Sequence, residues 1–273
     1  MSSRDEWIIS QAAPSLQDLS NMSVKCHLDD AITICRYLNR EMNAESAARL
    51  ITTMARREAT GDPDARPVVV VRIMRLIAEC LIHFDQEREM ILDLLIAIQD
   101  LPSDGRYHWW KLPSFEAQWT RCFFEKLENV DATDVAFFKT TGYLEATMYL
   151  RGIFSITEDW GCRALNTVCM EQKEFEGLVH ESYQWLKIAG PKLIENLQSA
   201  QVKSFNRAVR GRSDKIYMME VTMYEHWEHW KKRFLQVSHD EDFLSPEARQ
   251  VAKECHEIMK GLVMKQPAIP SEK

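Results

Sequence analysis

The sequence predicts an all-α protein, a single domain of about ten helices packed as helical hairpins. Three observations carry this expectation. Glycine and proline number only nine each in 273 residues, against an ordinary usage of about 7% and 5%. The tight turns of a β-rich fold need both residue types. Apolar residues recur at helical spacing from residue 27 to residue 263 with almost no break. Hydrophobic residues make up 45% of the chain and charged residues 27%, which is enough to fill a sizeable core.

Residues 1–25 are Ser-rich and weakly patterned. They read as a flexible arm that Trp7 and Ile8 dock. Helices are then expected over 27–42, 44–60, 65–84, 86–101, 114–129, 133–154, 157–170, 173–189, 192–208, 217–238 and 246–263. The run Val68-Val69-Val70-Val71 is strand-like, but it leads into Ile73, Ile77, Cys80, Leu81 and Phe84 on one helix face, so helix is favoured. Pro102, Asp104 and Gly105 stop the helix that carries Leu94, Leu95, Ile98 and Leu101. Ser114 and Thr157 are candidate caps for the helices that follow them. Gly190-Pro191 is expected to close a helix, because glycine takes the left-handed cap and proline cannot continue the ladder. Ser245-Pro246 places a cap before a proline at the first helical position. No polar linker and no fixed-period repeat interrupts the series, so residues 26–264 read as one helical domain. Residues 265–273 hold two prolines and read as a disordered tail.

Lys and Arg total 34 against 41 Asp and Glu, a net charge of −7. That balance argues against general nucleic-acid binding. The seven cysteines are odd in number and form no C-x-x-C pair. Most lie in apolar helical stripes, as expected of free thiols in a reducing compartment. Met1 to Ile9 shows no apolar signal run, and Pro67–Val71 and Ile91–Ile98 are too short to span a bilayer. A cytosolic or nuclear protein with no membrane association is the resulting expectation.

Three segments are candidate sites. In Glu225-His226-Trp227-Glu228-His229-Trp230, two histidines lie three apart on a helix. Zinc needs three or four ligands, and neither H-E-x-x-H nor a di-iron Glu-x-x-His pair is present, so no metal is expected. Met223, Trp227, Trp230, Phe234 and Val237 form one apolar stripe instead, with His226 at its edge and His229 turned away. Glu225 with His229 and Glu228 with Lys232 read as surface pairs. Trp109-Trp110 sits in a loop, where aromatics either grip a partner or plug the gap between helix ends. Lys203, Arg207, Arg210, Arg212 and Lys215 make a basic run that could hold a phosphate-bearing ligand or an acidic partner, with a solvated connector as the simpler reading.

Enzyme signatures are lacking. There is no G-x-S-x-G elbow, no phosphate loop and no dinucleotide-binding glycine pattern, so no cofactor is expected. Asp29-Asp30 lacks the third acid of a terpene-cyclase motif, and Asn166 and Glu171 do not complete the second one.

The C-terminal part is similar to a known family. Tyr183-Gln-Trp185-Leu-Lys-Ile-Ala-Gly190, His226-Trp-Glu-His-Trp-Lys231, Arg233-Phe234, Leu244-Ser-Pro-Glu-Ala-Arg249 and Ala252 through Met259 resemble a helical family of unknown function from filamentous fungi. The likeness is clearest over residues 170–263. Upstream it touches Leu101-Pro102, Trp110-Lys-Leu-Pro113 and Ala146, while Phe138 and Thr140 stand where the family carries Trp and Asn. The resemblance implies an all-α fold, a fungal source and, for some members, genes near secondary-metabolite clusters. It brings no catalytic residue. The expected function is a non-catalytic accessory or interaction protein, with another pathway protein or a small molecule as partner. The alternative is a helical protein that binds or transforms a small molecule in an aromatic-lined pocket.

Overall fold

A computed structural model describes residues 2–13, 26–58, 68–103, 107–128, 134–169, 175–197, 202–203 and 221–265. Among them are eleven α-helices: α1 (Ser3–Ser10), α2 (Leu28–Leu38), α3 (Ala44–Glu58), α4 (Val68–His83), α5 (Arg88–Gln99), α6 (Phe115–Leu127), α7 (Val135–Leu150), α8 (Glu158–Asn166), α9 (Phe175–Leu197), α10 (Met223–Val237) and α11 (Pro246–Gly261). The protein is all-α, and the one ladder among the described residues pairs Val202 with Thr222 and Lys203 with Val221, antiparallel. The chain gathers into two compact units, residues 1–128 with 153–155, and residues 129–152 with 156–273. No polar linker in the sequence marks that division.

The first unit opens with a correction. The expected flexible arm contains α1: the Ser2 hydroxyl accepts from the Asp5 amide at 3.2 Å, and Asp5 and Glu6 lie in the first turn, where carboxylates favour the helix dipole. Ile8 is fully buried, and Trp7 stacks on the His83 ring at 4.4 Å and meets Phe84 edge-on at 5.1 Å. Arg4 then ties α1 to Glu87 at 3.1 Å. Residues 14–25 lie outside the described residues. α2 packs on α3 and α3 on α5. The Tyr37 hydroxyl links α2 to α5 by donating to the Met90 carbonyl at 2.7 Å. Val68–Val71 begins α4, as its continuity with Ile73 and Ile77 predicts; Val70, Ile73, Ile77 and Leu81 are all buried. Here burial of a helical face overrides the β-propensity of four valines.

In the second unit α7 and α9 lie in close contact. Gly142 makes that possible, since a Cβ there would meet the Glu181 carbonyl oxygen at 2.6 Å. α9 corrects a second expectation, because it continues through Gly190-Pro191 to Leu197. A proline inside a helix costs about 3 kcal/mol. Ala189, Leu193 and Leu197 are buried on the continuing stripe, and each buried leucine contributes about 1.5–3 kcal/mol, so burial wins. Gly190 serves packing: a Cβ there would meet Leu262 at 2.7 Å. Of the helix expected over 192–208, residues 192–197 merge with α9, 202–203 are in the ladder and the rest lie outside the described residues; the one expected from residue 217 begins at Met223.

Two of the three expected N-caps change. Ser114 occupies the cap position of α6 and Thr157 that of α8, yet neither side chain caps its helix, and Ser114 has φ 70°. Ser245 does cap α11, accepting from the Ala248 amide at 3.2 Å, with Pro246 next. α10 and α11 form the expected hairpin. Met223, Trp227, Trp230, Phe234 and Val237 are fully buried, and α11 contributes Ala248, Ala252, Cys255 and Met259. His226 is buried rather than at the edge and stacks on Trp230 at 5.7 Å. Glu225 closes a capping box with Thr222, and Glu228 pairs with Lys231 at 2.6 Å rather than with Lys232.

Candidate binding surface

The adjacent residues Trp109 and Trp110 part ways. A 3-10 turn (Trp109–Lys111) turns Trp109 inward, 1% exposed and tilted against Tyr107 at 5.0 Å. Trp110 is turned outward and is 45% exposed. Thus Trp109 is a plug, and Trp110 is an accessible surface group. Leu112 follows with φ 45° and Ser114 with φ 70°. Left-handed backbone at a residue other than glycine costs on the order of 1–3 kcal/mol. Burial of Trp109, Leu112 and Phe115 holds this turn in place.

Trp110 is not isolated. Phe154, 47% exposed, meets it edge-on with ring centroids 4.6 Å apart and planes at 81°. Lys111 lies over the indole at 5.0 Å. The Phe154 backbone N–H donates to the Gln99 side-chain oxygen at 2.9 Å, which anchors the pair to the end of α5. Sequence reading found Trp110 and missed Phe154, which lies 44 residues further on; only the fold joins them.

The same end of α5 borders a half-open cleft of about 470 Å³ between α3 and α5. Ile96, Ala97, Leu101 and Pro102 supply apolar lining, and Glu45, Arg49, Asp93 and Asp100 supply charge.

The basic run remains largely undescribed. The backbone of Lys203 is in the short ladder, while Arg207, Arg210 and Arg212 lie outside the described residues.

Reactive chemistry finds little support among the buried groups. All seven cysteines are free. Burial pushes the Cys26 and Cys122 thiols up to about 12 and Cys35 to about 11, with Cys80 and Cys255 also well raised. Such thiols are not nucleophiles at neutral pH. In the second unit two buried indoles are satisfied within the core. Trp185 donates to Glu145 at 3.3 Å and Trp230 to Asn166 at 2.9 Å. Sequence analysis weighed Asn166 only as a metal ligand, and its role here is to satisfy a buried donor.

The Trp227 indole N–H has no partner among the described residues, and neither has His180. It is 1% exposed, and neither ring nitrogen has a hydrogen-bond partner. Burial pushes its pKa below the ordinary value and the Lys139 charge adds to this, against the opposing charges of Glu247 and Glu176. Among the described residues no group of three or more His, Cys, Asp or Glu side chains is placed to hold a metal ion, and no helix is long and apolar enough to cross a membrane. No protein-family model, curated protein or solved structure matches the chain.

Proposed function

We propose that the chain is a non-catalytic accessory or interaction protein, serving a biosynthetic pathway of the kind found in fungal secondary metabolism. The observation that carries this reading is the Trp110–Phe154 pair. Two large aromatic side chains are each about half exposed, and a strained turn and an inter-segment hydrogen bond fix them in place. Fixed, exposed aromatics are the side chains most often found at the energetic centre of protein interfaces, because they bury much area and have little rotamer freedom to lose. The elevated thiols of the core support it as well. The pathway assignment rests on the resemblance of residues 170–263 to the fungal family.

The test is a deletion strain. Product yield is expected to fall, and the purified protein is expected to leave the accumulated metabolites unchanged when incubated with an extract of that strain. Conversion of a precursor by the pure protein, followed by mass spectrometry, would contradict the reading.

One observation favours the small-molecule alternative. His180 is a buried imidazole held neutral with its ring nitrogens unsatisfied, the kind of group that a bound polar molecule would complete. Under that reading His180→Ala abolishes binding or turnover, whereas Trp110→Ala leaves it intact.

A further inference from the structure

His180 lies on α9, against which α7 and α11 both pack. Glu176 stands four residues earlier on the same face of α9. The charges of Lys139 on α7 and of Glu247 in the first turn of α11 also act on the ring. α8 and the 3-10 turn Thr167–Cys169 pack on α9 too, but among the described residues no charge from either acts on it.

These neighbours pair with other groups and leave the imidazole out. Lys139 lies 3.7 Å from Glu247. Glu176 accepts from the Ser245 backbone N–H at 3.1 Å and from the Ser245 hydroxyl. That hydroxyl in turn caps α11, accepting from the Ala248 amide at 3.2 Å. Glu176 therefore ties the turn before α11 to α9, and buried Leu244 is the residue next to the tie.

A neutral ring in this place forfeits its hydrogen bonds. A protonated one carries two N–H donors and a buried positive charge, which demands a carboxylate partner. Two carboxylates act on the ring. The Glu247 side chain is 71% exposed and already stands beside Lys139. Glu176 is partly buried and sits at the spacing at which helical side chains pair.

We infer that His180 is an acid-operated latch: when its ring gains a proton from solvent, Glu176 leaves Ser245 to pair with it, and residues 240–245 and the first turn of α11 loosen from α9. Burial and then the Lys139 charge oppose that protonation, against Glu247 and Glu176. The latch thus holds at neutral pH and opens as the pH falls below the ordinary histidine value of 6.5. The inference stands apart from the interaction reading above, since Trp110 and Phe154 belong to the other unit.

Hydrogen–deuterium exchange on the full chain tests it, read as protection factors, which remove the intrinsic pH dependence of exchange, at about pH 7.5 and about pH 5. Protection of residues 240–249 is expected to fall at least about tenfold at the lower pH, while that of α7 stays within about twofold. His180→Gln cannot take the charge. Glu176→Gln keeps an acceptor for Ser245 but cannot neutralise an imidazolium. Each is expected to hold the fall at 240–249 within about twofold. Circular dichroism checks both folds, and His180→Phe replaces His180→Gln if the latter does not fold. A parent chain that keeps its protection at about pH 5 overturns the inference, as does an equal fall in the His180 variant. A fall in α7 as large as that at 240–249 also overturns it, because the event would then be acid unfolding of the unit. A fall that the His180 variant removes and Glu176→Gln retains would overturn the route through Glu176.

Discussion

The two units differ most in one tryptophan: the second buries all of its own, and the first, which buries Trp109 and Trp119, leaves Trp110 at the surface. In the second unit Trp185 and Trp230 are fully buried, with indole N–H groups that donate to Glu145 and Asn166. In the first, Trp110 stands at the surface beside Phe154, on a backbone turn with two left-handed residues. A buried indole with its donor satisfied contributes to holding the fold. An exposed one contributes little to stability, and burial of Trp109, Leu112 and Phe115 holds the strained turn that presents it. The comparison therefore separates the aromatics that make the structure from those available to a partner.

The largest expected effect tests the first half. Trp230→Ala removes a fully buried ring and leaves the buried Asn166 without its indole donor, so it should cost about 3–5 kcal/mol in urea unfolding. His229→Ala, one position earlier and only partly buried, should stay within about 0.5 kcal/mol. If the histidine change were the larger, the placement of the α10 stripe would be wrong.

Next comes the helix contact beneath those indoles. In Gly142→Ala the new methyl must displace the Glu181 backbone, whose carbonyl oxygen would lie 2.6 Å away. Overpacking of this kind typically costs about 1–3 kcal/mol, and a thermal melt indistinguishable from that of the parent chain would show that α7 and α9 can separate freely.

A smaller and pH-dependent effect concerns His180. Its folded pKa is lowered, chiefly by burial and further by Lys139. The fold thus favours the neutral ring. That contribution is fully present above the ordinary value of 6.5 and is lost as pH falls through the lowered folded value. Urea midpoints should decline as pH drops below that ordinary value, and His180→Gln should flatten the decline. An unchanged acid slope in the variant would assign the decline to other groups.

Much of the second unit was legible in the sequence, because helical periodicity reports burial directly. The stripe from Met223 to Val237 and its partner face on α11 stand where their spacing puts them. Ser245-Pro246 works as a cap because both of its signals are local. What failed depends on contacts distant in the chain. Gly190-Pro191 has the local chemistry of a stop, but Leu262 and the buried stripe beyond it keep the helix going. α1 has its cap in Ser2 and Asp5, yet its partners His83, Phe84 and Glu87 come some eighty residues later. The candidate surface shows the same limit. Nothing local distinguishes Trp109 from Trp110, since their opposite directions come from a single 3-10 turn. Phe154, Gln99 and Asp100 join the surface only through tertiary structure. His180 lay unremarked, because burial without a partner has no sequence signal.

The smallest expected effect on stability is the one that bears most directly on the central claim, that Trp110 and Phe154 are kept for a partner and not for the fold. The measurement is the urea-unfolding free energy of the double variant Trp110→Ala/Phe154→Ala beside that of the parent chain. The account predicts a difference within about 1 kcal/mol, as for surface substitutions, with an unchanged denaturant slope. A loss of about 3 kcal/mol or more, the size of a core truncation, would contradict it and return both rings to the structural role of Trp230.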